Sequence, residues 1–251
     1  MLLLRRHFLG LAVAVSAALT FAPAYAGSVN AAVAANFTKV AQDLAAKFKA
    51  KTGNEVVLSF GATGALYTQI TQAAPFEVFL SADDKRTKTA IKDGFGVEGT
   101  DFTYAVGKVV LYSPTIDLTD GAAVLTGGAF QHLAVADPEA APYGAAAMAV
   151  LDKLGVTAAV TPKIVTGENI TQTQQFVDSG SAELGFVAAS QVVGKPAMQV
   201  WFAPQEDYSA IKQNAVLLKT GAGNQAAKDF LDYLKSDEAV AVIKASGYTL
   251  E

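Results

Sequence analysis

Four short stretches combine small residues with amide, hydroxyl or phenol side chains at points where an apolar run gives way to a helical pattern. They are AANFTK (34–39), GATGAL (61–66), APYGAAA (141–147) and GENITQT (167–173). Each reads as a loop-to-helix junction, and the first N–H groups of a helix have no partner inside it. Together with the positive end of the helix dipole, such groups can hold an anion. Ala35, Gly61, Ala62, Gly64 and Gly144 are small enough to let an anion approach the backbone closely. Taken singly, each junction reads first as an ordinary helix cap, for which Asn, Thr and Ser are the usual residues.

The composition of the junctions narrows the chemistry. The only basic residue is Lys39, at the end of the first stretch, and the only acid is Glu168. Neutral donors suit a fully ionised oxyanion, whereas a protonated phosphate would also require an acceptor for its hydrogen. Several hydrogen bonds to a charged group, each contributing about 1.5–3 kcal/mol, could offset dehydration of the anion. No nucleophile elbow, phosphate-binding P-loop or HExxH motif is present. Asp83 and Asp84 have no nucleophile motif beside them and read as caps of the helix that follows; Asp137 and Glu139 read as turn chemistry. With no cysteine, and one histidine (His132) beyond the leader, neither a thiolate nor a multi-histidine metal centre is available.

The elements that must position these junctions alternate between strand and helix. Strands are predicted over 28–35, 55–60, 77–82, 107–114, 131–138, 162–167, 182–188 and 213–221. Helices are predicted over about 38–51, 64–73, 143–154, 171–179, 223–235 and 236–246, with Gly53 and Gly247 ending the first and last. In the first helix Ala41, Leu44, Ala45 and Phe48 share a face. Successive βαβ units imply an α/β protein with mainly parallel sheets covered on both faces. No long linker interrupts the pattern, so the chain is expected to cross between two α/β lobes through its strands.

The first 26 residues carry Arg5 and Arg6, an apolar body and the small-x-small stretch Ala24-Tyr25-Ala26, which reads as an export signal cleaved after Ala26. The general secretory route is expected; RRHFL also resembles the twin-arginine pattern, with Leu4 where Ser or Thr is usual. Losing Arg5 and Arg6 takes the basic residues from 19 to 17 against 23 acidic ones, a net charge of −6. That balance argues against nucleic acid as a partner.

Five blocks, AAVAANFTKVAQDLAAKF, SFGATGALYTQI, APFEVFLSADDKR, LAVADPEAAPYG and FLDYLKSDEAVAVIKASGYTL, resemble periplasmic molybdate-binding proteins, the substrate-binding components of ATP-driven molybdate uptake. The resemblance implies a two-lobed type II periplasmic binding protein fold, with 27–105 plus 213–251 as one lobe, 106–212 as the other, and the ligand cleft between them. It implies binding of molybdate or tungstate in the periplasm and delivery to an ABC-type membrane permease by a monomer that is not an enzyme and uses no cofactor. Another tetrahedral oxyanion (sulfate, chromate or phosphate) is the alternative. The molybdenum would be held as an oxyanion, without direct coordination by the protein, through Asn36, Thr63, Tyr143 and Ile170 with Ala35 and Ala62 supplying backbone. One departure stands out: many members carry a tyrosine after LGIV, whereas LGFVAAS places Ala188 there. The resemblance implies that the Tyr143 hydroxyl replaces that donor from the opposite loop; the alternative is that Tyr143 shields the cleft and gives only its N–H.

Overall fold

A computed structural model describes residues 27–250; the expected export signal lies outside the described residues. The chain opens with β1 (Ser28–Ala34), a 3-10 turn (Ala35–Phe37), α1 (Thr38–Thr52), β2 (Glu55–Gly61), α2 (Thr63–Thr71), β3 (Val78–Leu80) and α3 (Asp84–Lys92). The residues of β1 from Ala31 onward are all buried, as a central strand with both faces covered requires. The buried face of α1 is Val40, Ala41, Leu44, Ala45 and Phe48, and Gly53 ends the helix in the left-handed conformation, donating its N–H to Lys49 O. Asp83 caps α3 by accepting from the N–H of Arg86 at 2.8 Å.

The chain then forms β4 (Phe102–Gly107), β5 (Val109–Tyr112), α4 (Gly121–Gly127), β6 (Leu133–Ala136), α5 (Pro142–Lys153), α6 (Thr157–Val160), β7 (Ile164–Gly167), α7 (Ile170–Asp178), β8 (Leu184–Ala188) and β9 (Val200–Phe202). It closes with β10 (Ile211–Leu217), α8 (Gln225–Leu234) and α9 (Asp237–Ala245). Two five-stranded sheets result, ordered β2-β1-β3-β10-β4 and β7-β6-β8-β5-β9. In each, three parallel strands are followed by one antiparallel strand, β10 or β5, and then by a strand in the original direction. The expected α/β architecture of mainly parallel sheets is therefore present twice, with helices on the faces. The chain leaves the first sheet after Gly107, enters the second at Val109 and returns to the first at β10.

Four elements have no counterpart in the sequence reading, β4, β9, α4 and α6, and α3 is anticipated there only through its cap. The two strands are sheet edges; β4 pairs with β10 and otherwise makes one isolated bridge, Val106 to Thr249, and β9 pairs with β5. An edge strand is half solvated and shows no continuous apolar run. In β9, Trp201 is partly buried and packs against Gly121, while Phe202 is 56% exposed. The helices α4 and α6 are short, with few buried residues to mark a face.

Candidate anion-binding site

Both sheets deliver their helix starts at the carboxyl ends of parallel strands, the end at which open α/β sheets place ligands. In the first sheet β1 leads to the 3-10 turn and α1, and β2 leads to α2. In the second, β6 leads to α5 and β7 to α7. All four junctions converge on one small cavity between the sheets, lined by Ala35, Asn36, Ala62, Thr63, Tyr143 and Ile170. Ala34, Gly61, Ala82, Ala141 and Pro142 complete its wall. The six residues expected from the sequence are thus brought together, although they lie on four separate segments.

The capping interpretation fails at three of the four junctions. The 3-10 turn, α1, α2 and α5 have no side chain capping their N-termini. The Thr38 hydroxyl turns back onto Ala35 O (2.7 Å), and Asn36 Nδ2 donates to Gln213 Oε1 (2.8 Å) and the Tyr248 hydroxyl (2.9 Å). Thr63 Oγ1 accepts from the N–H of Ala82 at 3.0 Å. Its own hydrogen has no acceptor among the described residues and remains to be donated. At α7, Asn169 does act as a cap: its Oδ1 accepts from the N–H of Thr171 (3.0 Å) and of Gln172 (3.1 Å). That leaves Ile170, the first helical residue, with the uncapped N–H. Tyr143 stands second in α5 behind Pro142, whose ring carries no N–H, so the Tyr143 amide is the first donor of that helix.

A buried polar layer backs the cavity. Gln213 Nε2 donates to the Tyr143 hydroxyl at 3.1 Å, and the Tyr248 hydroxyl donates to Asn36 O or Ser190 Oγ, each at 2.9 Å. Burial pushes the phenols of Tyr104 and Tyr143 well above their usual range, and that of Tyr248 to about 12. All three are neutral phenols at ordinary pH. One cation does approach. Arg86 pairs with Asp83 and donates through Nη2 to Glu139 O at 2.7 Å, so its charge is already matched by a carboxylate. Among the described residues no group of three His, Cys, Asp or Glu side chains converges as a metal centre.

The two halves meet at the cavity rim. The N–H of Gly64 donates to Ala140 O (2.8 Å), and the Thr171 hydroxyl to Ala35 O (3.1 Å). A Cβ on Gly64 would stand 3.1 Å from Ala140 Cα, 3.2 Å from its carbonyl oxygen and 2.9 Å from Arg86 Nη2. The small residue at Gly64 therefore admits the opposite half of the protein. At Gly144 a Cβ would meet Ala136 O at 2.1 Å, so that glycine lets α5 pack onto its strand. Apolar packing crosses the same boundary: Ala34, Ala35, Ala62 and Ala82 belong to one cluster with Ala136, Ala141, Tyr143 and Ile170.

Ala188 is buried in β8, gives its N–H to Gln191 Oε1 (2.9 Å) and supplies no side-chain donor. Residues absent from the sequence-based set are Gln213, Tyr248 and Arg86. The signal for Gln213 was present, since Gln213 and Asn214 place two amides directly before the apolar run Ala215-Val216-Leu217 of the same strand.

Comparison with known proteins agrees with this fold. Residues 29–249 match the family of bacterial extracellular solute-binding proteins. The chain is 53% identical over 229 residues to a molybdate-binding protein ModA of Rhodobacter capsulatus, covering 91% of each chain. It is 49% identical over 245 residues to ModA of Azotobacter vinelandii, covering 96% of this chain and 97% of that one. The solved periplasmic molybdate-binding protein of Azotobacter vinelandii superposes with a TM-score of 0.85 at 39% identity, covering 89% of this chain and 99% of the other. Matched nearly end to end at this identity, with the two-lobed type II fold in place, the chain belongs to the ModA-type molybdate-binding proteins within the bacterial extracellular solute-binding family.

Proposed function

We propose that the protein captures molybdate or tungstate in the periplasm and delivers it to the membrane permease of an ABC transporter. The observation that carries this reading is the convergence of four helix starts, three of them without a side-chain cap, on one cavity between two sheets. The donors assigned to the anion are the Asn36 region and Thr63 from one half, and the N–H groups of Tyr143 and Ile170 from the other, with backbone from Ala35 and Ala62. Four helix N-termini supply partial positive charge without a titratable group. A dianion is therefore held without a counter-ion and without an acceptor that would select a protonated species.

Lobes formed by 27–105 plus 213–251 and by 106–212 would part to admit the anion and close on it. The closed, monomeric form is the one that docks on the permease. Export through a signal cleaved after Ala26 fits this role.

Calorimetric titration of the purified protein with molybdate, tungstate, sulfate and phosphate tests the reading. Binding of molybdate and tungstate at micromolar or tighter dissociation constants, worth about −8 kcal/mol or more, with sulfate and phosphate far weaker, is the expected outcome. Tight sulfate or phosphate binding without molybdate would move the protein to another oxyanion.

A further inference from the structure

Gln213 lies where the chain returns to the first sheet, fully buried, with partners from both halves of the molecule. Its Oε1 accepts from Asn36 Nδ2 at 2.8 Å and from the Tyr104 hydroxyl at 3.1 Å, both on the first-sheet side. Its Nε2 donates to the Tyr143 hydroxyl of α5, on the second-sheet side, at 3.1 Å. The strand is irregular at this point: Gln213 pairs with Ala105 and Asn214 with Thr103, leaving Tyr104 as the extra residue of a bulge. Bulges re-aim side chains and recur beside binding sites. Space is also reserved for the contact. At Gly107 a Cβ would stand 2.0 Å from the Tyr143 hydroxyl oxygen and 2.7 Å from Gln213 Nε2. An apolar side chain would satisfy a buried strand position without needing partners; an amide here needs all of them.

We propose that Gln213 is a positioning residue of the anion site: its side-chain amide ties Asn36 to Tyr143, so that aligning these two groups and closing the two halves become one event. The role rests on the anion-binding reading above. It makes Gln213 act through its neighbours, with no contact to the anion required.

The test uses the full mature protein, molybdate as the probe, and the variants Q213M, Q213E, Y143F and the Q213M/Y143F double. Q213M should weaken molybdate binding about tenfold to a hundredfold, chiefly through faster release. If the amide acts through Tyr143, the double variant should be within about twofold to threefold of the weaker single variant. The glutamate variant supplies a readout that simple core loosening would not move. Its carboxyl would face phenols from three directions (Tyr104 of β4, Tyr143 of α5 and Tyr248 beyond α9) with Asp83 behind Tyr104. None of the phenols titrates near neutrality. Burial keeps a carboxyl neutral at lower pH, so Q213E should lose affinity between about pH 6 and pH 8 while the wild type stays level. Should the methionine variant not fold, this profile decides alone.

Wild-type affinity in Q213M with a level pH profile in Q213E would overturn the positioning role and leave the anion-binding reading intact. Additive losses in the double variant, tracking a lowered Tm of the ligand-free protein, would overturn it too and assign Gln213 to the core. No molybdate binding by the wild type would overturn the underlying reading and this role with it.

Discussion

The two halves are built on one plan but equip the cavity differently. Each offers a five-stranded sheet with a single antiparallel strand, and each sends two helix starts to the site. The first half adds a side-chain donor, the hydroxyl of Thr63, while the two amide hydrogens of Asn36 go to Gln213 and Tyr248. The second offers chiefly backbone: Ile170 has no polar side chain, and the Tyr143 phenol is held back in the buried polar layer, where its oxygen accepts from Gln213 Nε2. The caps follow the same division. At the two first-half helix starts that reach the cavity no side chain caps, whereas in the second half Asn169 caps α7 and leaves only its first N–H. A repeated fold unit thus supplies the helix dipoles twice, while sequence divergence decides which half reads the anion with side chains.

Substitutions can break this comparison, and the largest effect is expected where the halves touch. Gly64→Val puts a branched side chain against Ala140 and Arg86. Closure should be blocked and molybdate affinity should fall more than about a hundredfold, the order of a lost interface of several hydrogen bonds. The Tm of the ligand-free protein should change little, because Gly64 faces the other half. Titration and thermal unfolding of the same sample check both points.

Side-chain substitutions should then separate the halves. Thr63→Val removes a donor and strands the N–H of Ala82, which should cost about 1.5–3 kcal/mol of binding. Ile170→Val keeps the backbone donor and should change the affinity by less than about 1 kcal/mol. Equal losses from both would erase the distinction between side-chain and backbone reading.

The smallest effect concerns pH. Tyr248 is raised from 10.0 to about 12 by burial, so the folded protein holds a phenolic proton that the unfolded chain releases. Below pH 10 this difference contributes no pH dependence. Between pH 10 and about 12 the unfolded chain ionises first, so stability falls as pH rises through that window. Tyr248→Phe should flatten the alkaline side of a Tm-versus-pH curve; an unchanged slope would assign the loss to other groups.

Much of the fold was legible in local pattern. The buried face of α1, the stop at Gly53 and the cap at Asp83 are short-range matters of periodicity, left-handed backbone and hydrogen bonding. Edge strands β4 and β9 escaped because only part of such a strand is buried and its apolar signal is weak. The capping interpretation of Asn36, Thr38 and Thr63 misled for a related reason: propensity states which residues can cap, and the tertiary environment offered each a different partner.

By itself the sequence determined that this is an α/β chain with small-residue helix starts rich in neutral donors and no thiolate chemistry at them. Residue type and spacing carry that information locally. Only the tertiary structure decided that those starts face one another, that Gly64 makes room for Ala140, and that Gln213 reaches Asn36 across 177 positions of chain. The reason is physical: a free N–H becomes a binding donor only when the packing of distant segments aims it at a shared space and leaves it without another partner.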